Sequence, residues 1–294
     1  MLLQKRATLD RQGKWWVWVL PLLLILGLFY LYPILSIFRL SFTDSRVGNP
    51  NFSYTLSSYK AVLTDVTLWR VLKVTLIFSL SSVFFQLFLG LITALLIKKD
   101  LFGAGLVKLS MVFAWVVPGI ITGIMWQMIY SSNSWGILNY VIQKLGFSAV
   151  PFLSDPVLAL TAAIIANVWR GTGFSGIMQY AALCAIPNEL YESAKIDGAS
   201  AWQSFWAITL PQLKPMLMIN VVLITIYSFN TYDSIYALTR GGPGGSTTVI
   251  SLQAYESVFS YLQLGRGSVY AIFMTLLSVV FTLIYIRLLD SEEK

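Results

Sequence analysis

The chain of 294 residues is 57% hydrophobic and only 11% charged, with a net charge of +7. Soluble domains carry roughly 25% charged residues, so a soluble fold has nowhere to place this much apolar surface, and the excess of Lys and Arg points to membrane topology rather than to nucleic acid. One cysteine, Cys184, rules out a disulfide within the chain, and the absence of histidine rules out His-ligated metals and histidine acid–base catalysis.

The pattern predicts an all-α integral membrane protein. A tail, 1–14, carries Lys5, Arg6, Arg11 and Lys14. Six apolar runs follow at 15–38, 74–97, 109–130, 157–180, 216–238 and 267–287. Each is long enough to cross a hydrocarbon core as a helix, and none shows strand alternation. Trp15, Trp16 and Trp18 stand where interfacial anchors belong. The first run is too long, and lacks the small-residue cleavage site, for a signal peptide. Basic residues precede span 1, and Lys98, Lys99 and Lys108 fill the loop after span 2. The positive-inside rule puts both in the cytoplasm. Both termini are then cytoplasmic, including the tail 291–294, and so is the loop 181–215, which contains the unit 186–215. Pro118-Gly119 weakens one turn of span 3, either as a functional bend or as a static kink.

The loop before span 5 has its own grammar. Pro187 suits a first helical turn, and Gly198 suits the left-handed residue that ends a helix. Ser200 and Gln203 form a capping box that opens a second helix carrying Trp202, Phe205 and Trp206. Pro211 and Pro215 are expected to close the unit. A helix–turn–helix with exposed aromatic residues needs a partner surface or a lipid surface to lie on.

The segment resembles the EAA loop of permease subunits in ATP-binding-cassette importers, whose pattern is E-A-A-x-x-D-G-A, five residues, then F-x-x-I-x-L-P-x-x-x-P. Glu192, Ala194, Asp197, Gly198, Ala199, Phe205, Ile208, Leu210, Pro211 and Pro215 stand at the matching places; Ser193 replaces an alanine. The resemblance covers about residues 20–288 and is nearest to carbohydrate permeases of the maltose and glycerol-3-phosphate type. "SFTD" at 41–44, "ANVWRGTGF" at 166–174, "IPNELYESAKIDGA" at 186–199 and "LTRGGPGGSTT" at 239–248 carry it. It implies an importer transmembrane domain over 15–290. Glu192, Ala194, Asp197, Gly198, Ala199, Trp202 and Phe205 would couple to an ATPase. The implied partners are a second related permease, two ATPase subunits that bind ATP and Mg, an extracellular solute-binding protein or lipoprotein, membrane lipid, and a sugar; no nucleic acid and no cofactor of this chain's own are expected. The glycine-rich stretch at 239–248 would be a placed outer loop facing the binding protein rather than an ordinary hairpin.

Two polar clusters fall inside apolar runs: Asn167, Trp169, Arg170 and Gly171 in span 4, and Asn220, Tyr227, Ser228, Asn230, Thr231 and Asp233 in span 5. An arginine in mid-span costs roughly 2.5–3.5 kcal/mol and should face a cavity or a partner. Asn230 and Asp233 are expected one turn apart on one helix face, with Arg170 and Asp233 as an intramembrane pair. Each polar residue alone can equally serve as glue between helices. The resemblance implies a sugar site at Asn167, Arg170, Gly171, Ser228 and Thr231, with Trp169, Tyr227, Asn230 and Asp233 added here as pathway residues.

No G-x-x-x-x-G-K-[ST], G-x-S-x-G or H-E-x-x-H occurs, so energy must come from another polypeptide and two familiar hydrolase readings fall away. An ion-coupled secondary transporter, the main alternative, would carry an inverted repeat, and halves 1–147 and 148–294 show none. A membrane-embedded enzyme would need a reactive constellation that the sequence lacks.

Overall fold

The computed structural model describes residues 15–99, 102–133 and 136–290. The two tails, with Lys5, Arg6, Arg11, Lys14 and Lys294, and the side chains of Trp15, Trp16 and Trp18 lie outside the described residues.

Among the described residues every regular element is a helix, and the β pairing is confined to isolated bridges such as Thr43 with Tyr54. The first crossing joins α1 (Trp15–Leu26) to α2 (Tyr32–Ser41) through a wide π turn, Gly27–Leu31. A short α3 (Ser57–Thr64) leads into α4 (Val66–Lys98). Then come α5 (Ala104–Val116), α6 (Gly119–Ile129), α7 (Ile137–Lys144) and α8 (Pro156–Ala185). The loop helices α9 (Asn188–Ile196) and α10 (Ala201–Ser204) precede a second π turn, Phe205–Thr209, and α11 (Leu210–Asn230). The chain ends with α12 (Asp233–Thr239), α13 (Ile250–Phe259) and α14 (Leu264–Asp290). Five segments are long and apolar enough to cross a membrane singly, and counting the bent pair α5–α6 as one broken span brings the number to six.

Local chemistry sets the starts. Asp65 caps α4 by accepting the Thr67 N–H at 2.8 Å, and Asp155 caps α8 by accepting those of Val157 and Leu158 at 2.9 Å. Both π turns stand just ahead of a proline, Pro33 or Pro211. A proline ring clashes with the carbonyl four residues back, which here falls inside the widened turn. Tyr32 N–H therefore reaches back to the Gly27 carbonyl, and Leu210 N–H to that of Phe205.

Three sequence expectations change. Span 3 is broken rather than kinked: α5 and α6 diverge by 107°. Pro118 has no N–H and drives Val117 into extended backbone (ψ 125°). Span 5 does not run to 238. It stops at Asn230, where Thr231 is extended (ψ 109°), and α12 starts afresh at Asp233. Asn230 and Asp233 therefore belong to different helices and share no helical face. The Thr231 carbonyl freed by this break accepts the Ser251 hydroxyl of α13 at 2.8 Å, as buried backbone in a membrane requires. Finally, Pro211 and Pro215 do not close the loop unit. The π turn absorbs Pro211, and helix continues from Ala201 to Asn230.

The centre of the bundle is α4 packed on α8, with α5 and α11 alongside. Small residues let the backbones approach. A Cβ on Gly90 would meet the Ser175 hydroxyl and the Gln179 amide, and one on Gly171 would overlap the Gln86 amide. Polar side chains stitch the same surfaces together. Asn167 donates to the Ser82 hydroxyl at 2.9 Å, Gln86 to the Asn167 carbonyl at 3.3 Å, and Gln179 to the Leu87 carbonyl at 3.2 Å. Asn220, fully buried, donates from α11 to the Ser175 hydroxyl of α8 at 2.8 Å. Asn220 is therefore glue between helices, the second of the two roles open to it from sequence.

Beyond both breaks α6 and α12 pack on each other. Gly123 faces the Ser234 carbonyl and the Ala237 side chain so closely that no Cβ fits. The stretch 239–248 is no exposed hairpin. Thr247 and Thr248 hydroxyls donate to the Gly242 and Gly241 carbonyls at 2.9 and 3.1 Å, and Arg70 of α4 donates to the Gly244 carbonyl at 3.2 Å. In contrast, the first crossing buries nothing across its apolar window within this chain.

Candidate functional site

A cavity of about 260 Å³ opens between α4, α5, α8 and α11, where the two breaks meet. It gathers Asn167, Arg170, Gly171, Tyr227, Ser228, Asn230, Thr231 and Asp233, eight of the nine residues the sequence assigned to the pathway. It also draws in Gln86, Trp115, Phe174 and Ile224. Trp169 is the exception. One residue before Arg170, it is turned about 100° around the helix. It lies in a separate groove against Trp126, with ring centroids 6.0 Å apart.

The lining mixes rings with hydrogen-bonding groups. Phe174 stands edge-on to Tyr227 at 5.9 Å and touches Trp115 at 5.3 Å. Tyr227 is 59% exposed. Asn230 donates from its amide to the Ile226 carbonyl at 2.7 Å. The expected Arg170–Asp233 pair does not form among the described residues. Both line the cavity, but Arg170 Nε donates to the Val117 carbonyl at 3.1 Å, and Asp233 accepts the Ser234 N–H at 2.9 Å. The helix breaks are the reason, since Asp233 starts α12 instead of continuing α11. Phe174 had a signal in the sequence, sitting at the i+4 position from Arg170; Gln86 is polar in an apolar run; Trp115 had none.

The other site lies at the far end of α11. α9 ends in a Schellman motif: Ala199 N–H bonds the Ala194 carbonyl at 2.8 Å and Gly198 N–H that of Lys195 at 3.2 Å, with Gly198 at φ +80°. The capping box then forms as expected, with Ser200 N–H to Gln203 Oε1 at 2.7 Å and Gln203 N–H to Ser200 Oγ at 3.3 Å. Trp202, Phe205 and Trp206 make a mutual ring cluster, centroids 5.5–6.0 Å apart, in which Trp202 is 69% exposed and Trp206 is 52% exposed. Glu192, Asp197 and Gly198 are also exposed, while Ala194 and Ala199 are half-buried behind them. The unit is moored to the bundle: Lys98 donates to the Leu183 carbonyl at 2.9 Å and lies over the Tyr191 ring, and Tyr191 and Thr209 share a hydrogen bond of 3.0 Å.

At the opposite end, a polar cleft of about 610 Å³ runs between the glycine-rich loop and the start of α4, lined by Asp65, Arg70, Arg240, Glu256 and Arg266. The Thr67 backbone N–H, helped by the Thr67 side chain, holds the Asp65 carboxyl below its ordinary range. Burial pushes the Glu256 carboxyl up.

Five to six membrane-spanning segments, a polar cavity at two helix breaks and a capped aromatic knob at one end describe a membrane subunit built to pass a solute. Residues 86–291 match the family of binding-protein-dependent transport system inner membrane components, and the chain belongs to it, as a multi-pass permease subunit of an ABC importer. It is 38% identical to the trehalose/maltose transport system permease protein MalF of Thermococcus litoralis, over 92% of this chain and 91% of that one. It is 32% identical to the sulfoquinovosyl glycerol transport system permease protein SmoG of Agrobacterium fabrum, over 93% and 89%. The fold superposes on the crystal structure of a bacterial ABC transporter that imports the acidic polysaccharide alginate, with a TM-score of 0.84 at 22% identity, covering 99% of this chain and 100% of that one.

Proposed function

We propose that this chain forms half of the solute pathway of a sugar importer, and that α9–α10 is the surface on which a separate ATPase acts. One observation carries the reading: the cavity that gathers the predicted pathway residues and the exposed ring cluster lie at opposite ends of one continuous helix, Ala201–Asn230. Ring faces of Tyr227, Phe174 and Trp115 suit the apolar faces of a sugar, and the amides and hydroxyls around them suit its hydroxyl groups. A cavity of this size is slightly below the roughly 300–1,000 Å³ of sites that enclose a small ligand, which fits a pathway completed by a second, related permease. Two ATPase subunits holding ATP and Mg, and a solute-binding protein at the glycine-rich end, complete the assembly. Both termini and the α9–α10 loop then face the cytoplasm. The names of relatives that carry trehalose, maltose or a sulfosugar glycoside support the carbohydrate class.

The test starts with a pull-down of the tagged chain from mild detergent. It should bring a second six-span permease, an ATPase and a solute-binding protein, and screening that binding protein against sugars names the solute. Uptake of that sugar should then fall at least tenfold in Tyr227→Ala and Asn230→Ala, the loss of roughly 1.4 kcal/mol of interaction, while ATPase association is retained. Wild-type uptake in both variants would refute the pathway assignment; recovery of the chain without an ATPase would refute the coupling role.

A further inference from the structure

Arg170 and Asp233 share a cavity without pairing, and each stands instead at one side of the break between α5 and α6. An uninterrupted helix would have offered the Val117 carbonyl the N–H of residue 121. The turn of 107° removes that donor, and Arg170 Nε replaces it at 3.1 Å. A cation there meets the carbonyl-rich, negative end of α5. On the other side the Asp233 carboxylate lies against Gly119, the first residue of α6, so closely that a Cβ at position 119 would overlap its oxygens. An anion there meets the positive end of α6. Among the described residues, no other Asp, Glu, Lys or Arg lines this cavity.

Resting on the reading of this cavity as the pathway, we infer that Arg170 and Asp233 are positioning residues that hold the two sides of the α5–α6 break, each matched to a helix end rather than to the other. The failure of the pair expected from sequence then has a cause. Arg170 Nε is held on the Val117 carbonyl and the Asp233 carboxylate against Gly119, so each charge is placed by a helix end on its own side of the break. It also follows that the solute is met first by the uncharged groups of the lining, with the two charges committed to the backbone around it.

The test needs no solute. Spin labels at Ser110 on α5 and Met128 on α6, placed in the assembled transporter with Cys184 replaced by serine, read the bend as a distance distribution. Arg170→Gln and Asp233→Asn should each broaden it, raising the population of straightened molecules about 5–30-fold, as expected for one lost charge at a partly buried helix end. Arg170→Lys, which keeps a charge and a donor, should restore most of the narrow distribution. Exchanging the two residues should broaden it at least as much as either single change, because each charge then faces a helix end of its own sign. Two results overturn the inference: both neutral variants keep the wild-type distribution, or the exchanged pair restores what the single variants lost, as a direct ion pair would. Should the exchanged variant fail to assemble, the near-isosteric Arg170→Gln and Asp233→Asn decide alone. Because the readout contains no solute, its failure leaves the pathway reading standing; that reading falls with Tyr227 and Asn230.

Discussion

Gly198 is the point where a small backbone change should separate ATP use from transport. Its φ of +80° is the left-handed conformation, and nothing lies within 4 Å of where a Cβ would be built. Bulk is therefore no obstacle, and the whole penalty of a side chain is conformational. An L-residue in this region costs roughly 1–2 kcal/mol, with a β-branched one at the upper end. The Schellman bonds that orient α10 are lost when the residue relaxes, so roughly 5–30 times more molecules hold a misdirected α10. Gly198→Val should thus fold and insert normally, with the thermal midpoint of the bundle unchanged. In proteoliposomes holding the complete transporter, solute moved per ATP should fall several-fold. Gly198→Asn, which tolerates the left-handed region better, should lie between the two. Wild-type coupling in Gly198→Val would refute the claim that the turn conformation transmits the stroke.

Other changes test other parts of the structure. Gly123→Ala places a methyl group against the Ser234 backbone carbonyl, which cannot rotate away; overpacking of about 1–3 kcal/mol should lower the thermal midpoint of the detergent-solubilised chain. Asn220→Ala removes the donor that reaches Ser175 inside the bundle and should destabilise it by roughly 1–3 kcal/mol, read in the same melt. Trp202→Ala should leave folding intact and reduce co-purification of the ATPase at least tenfold, since exposed aromatic anchors dominate such surfaces. Asp65→Ala deletes the α4 cap at a cost of about 0.5–2 kcal/mol. The Asp65 carboxyl is depressed in the fold by its bonds from Thr67, so its contribution is present above the ordinary aspartate pKa and is lost as pH falls through the lowered one. The gap between wild type and Asp65→Ala should therefore close on acidification.

Sequence made the membrane class and the α9–α10 unit legible, because each rests on strong local signals: long apolar runs, Gly198, and the Ser200–Gln203 box. The breaks were harder to read. Pro118 announced one, yet a proline inside an apolar run predicts a kink as readily as a turn of 107°. Thr231 announced nothing, for its extended backbone depends on Ser251 of α13 taking the freed carbonyl, a contact between residues 20 apart. The error over Asn230 and Asp233 came from that break, and so did the unformed pair with Arg170. Trp169 has the ring chemistry of a sugar-facing residue, yet helical spacing alone turns it away from Arg170. The same spacing would have admitted Phe174.

The π turn ahead of Pro211 has a mechanical consequence. By letting helix pass through the proline, it joins the ring cluster and the cavity lining into one rod. Thirty residues, Ala201–Asn230, span roughly 45 Å at the rise of an α-helix. A tilt of about 5° about the knob end would carry Tyr227, Ser228 and Asn230 sideways by roughly 4 Å over that length, about the width of a sugar hydroxyl and its hydrogen bond. Had Pro211 ended the helix, the same tilt would have been spent in a loop. On the proposed coupling role of the knob, the helix would act as a lever whose long arm reaches the cavity, and a small stroke at the knob would rearrange the proposed solute-facing wall.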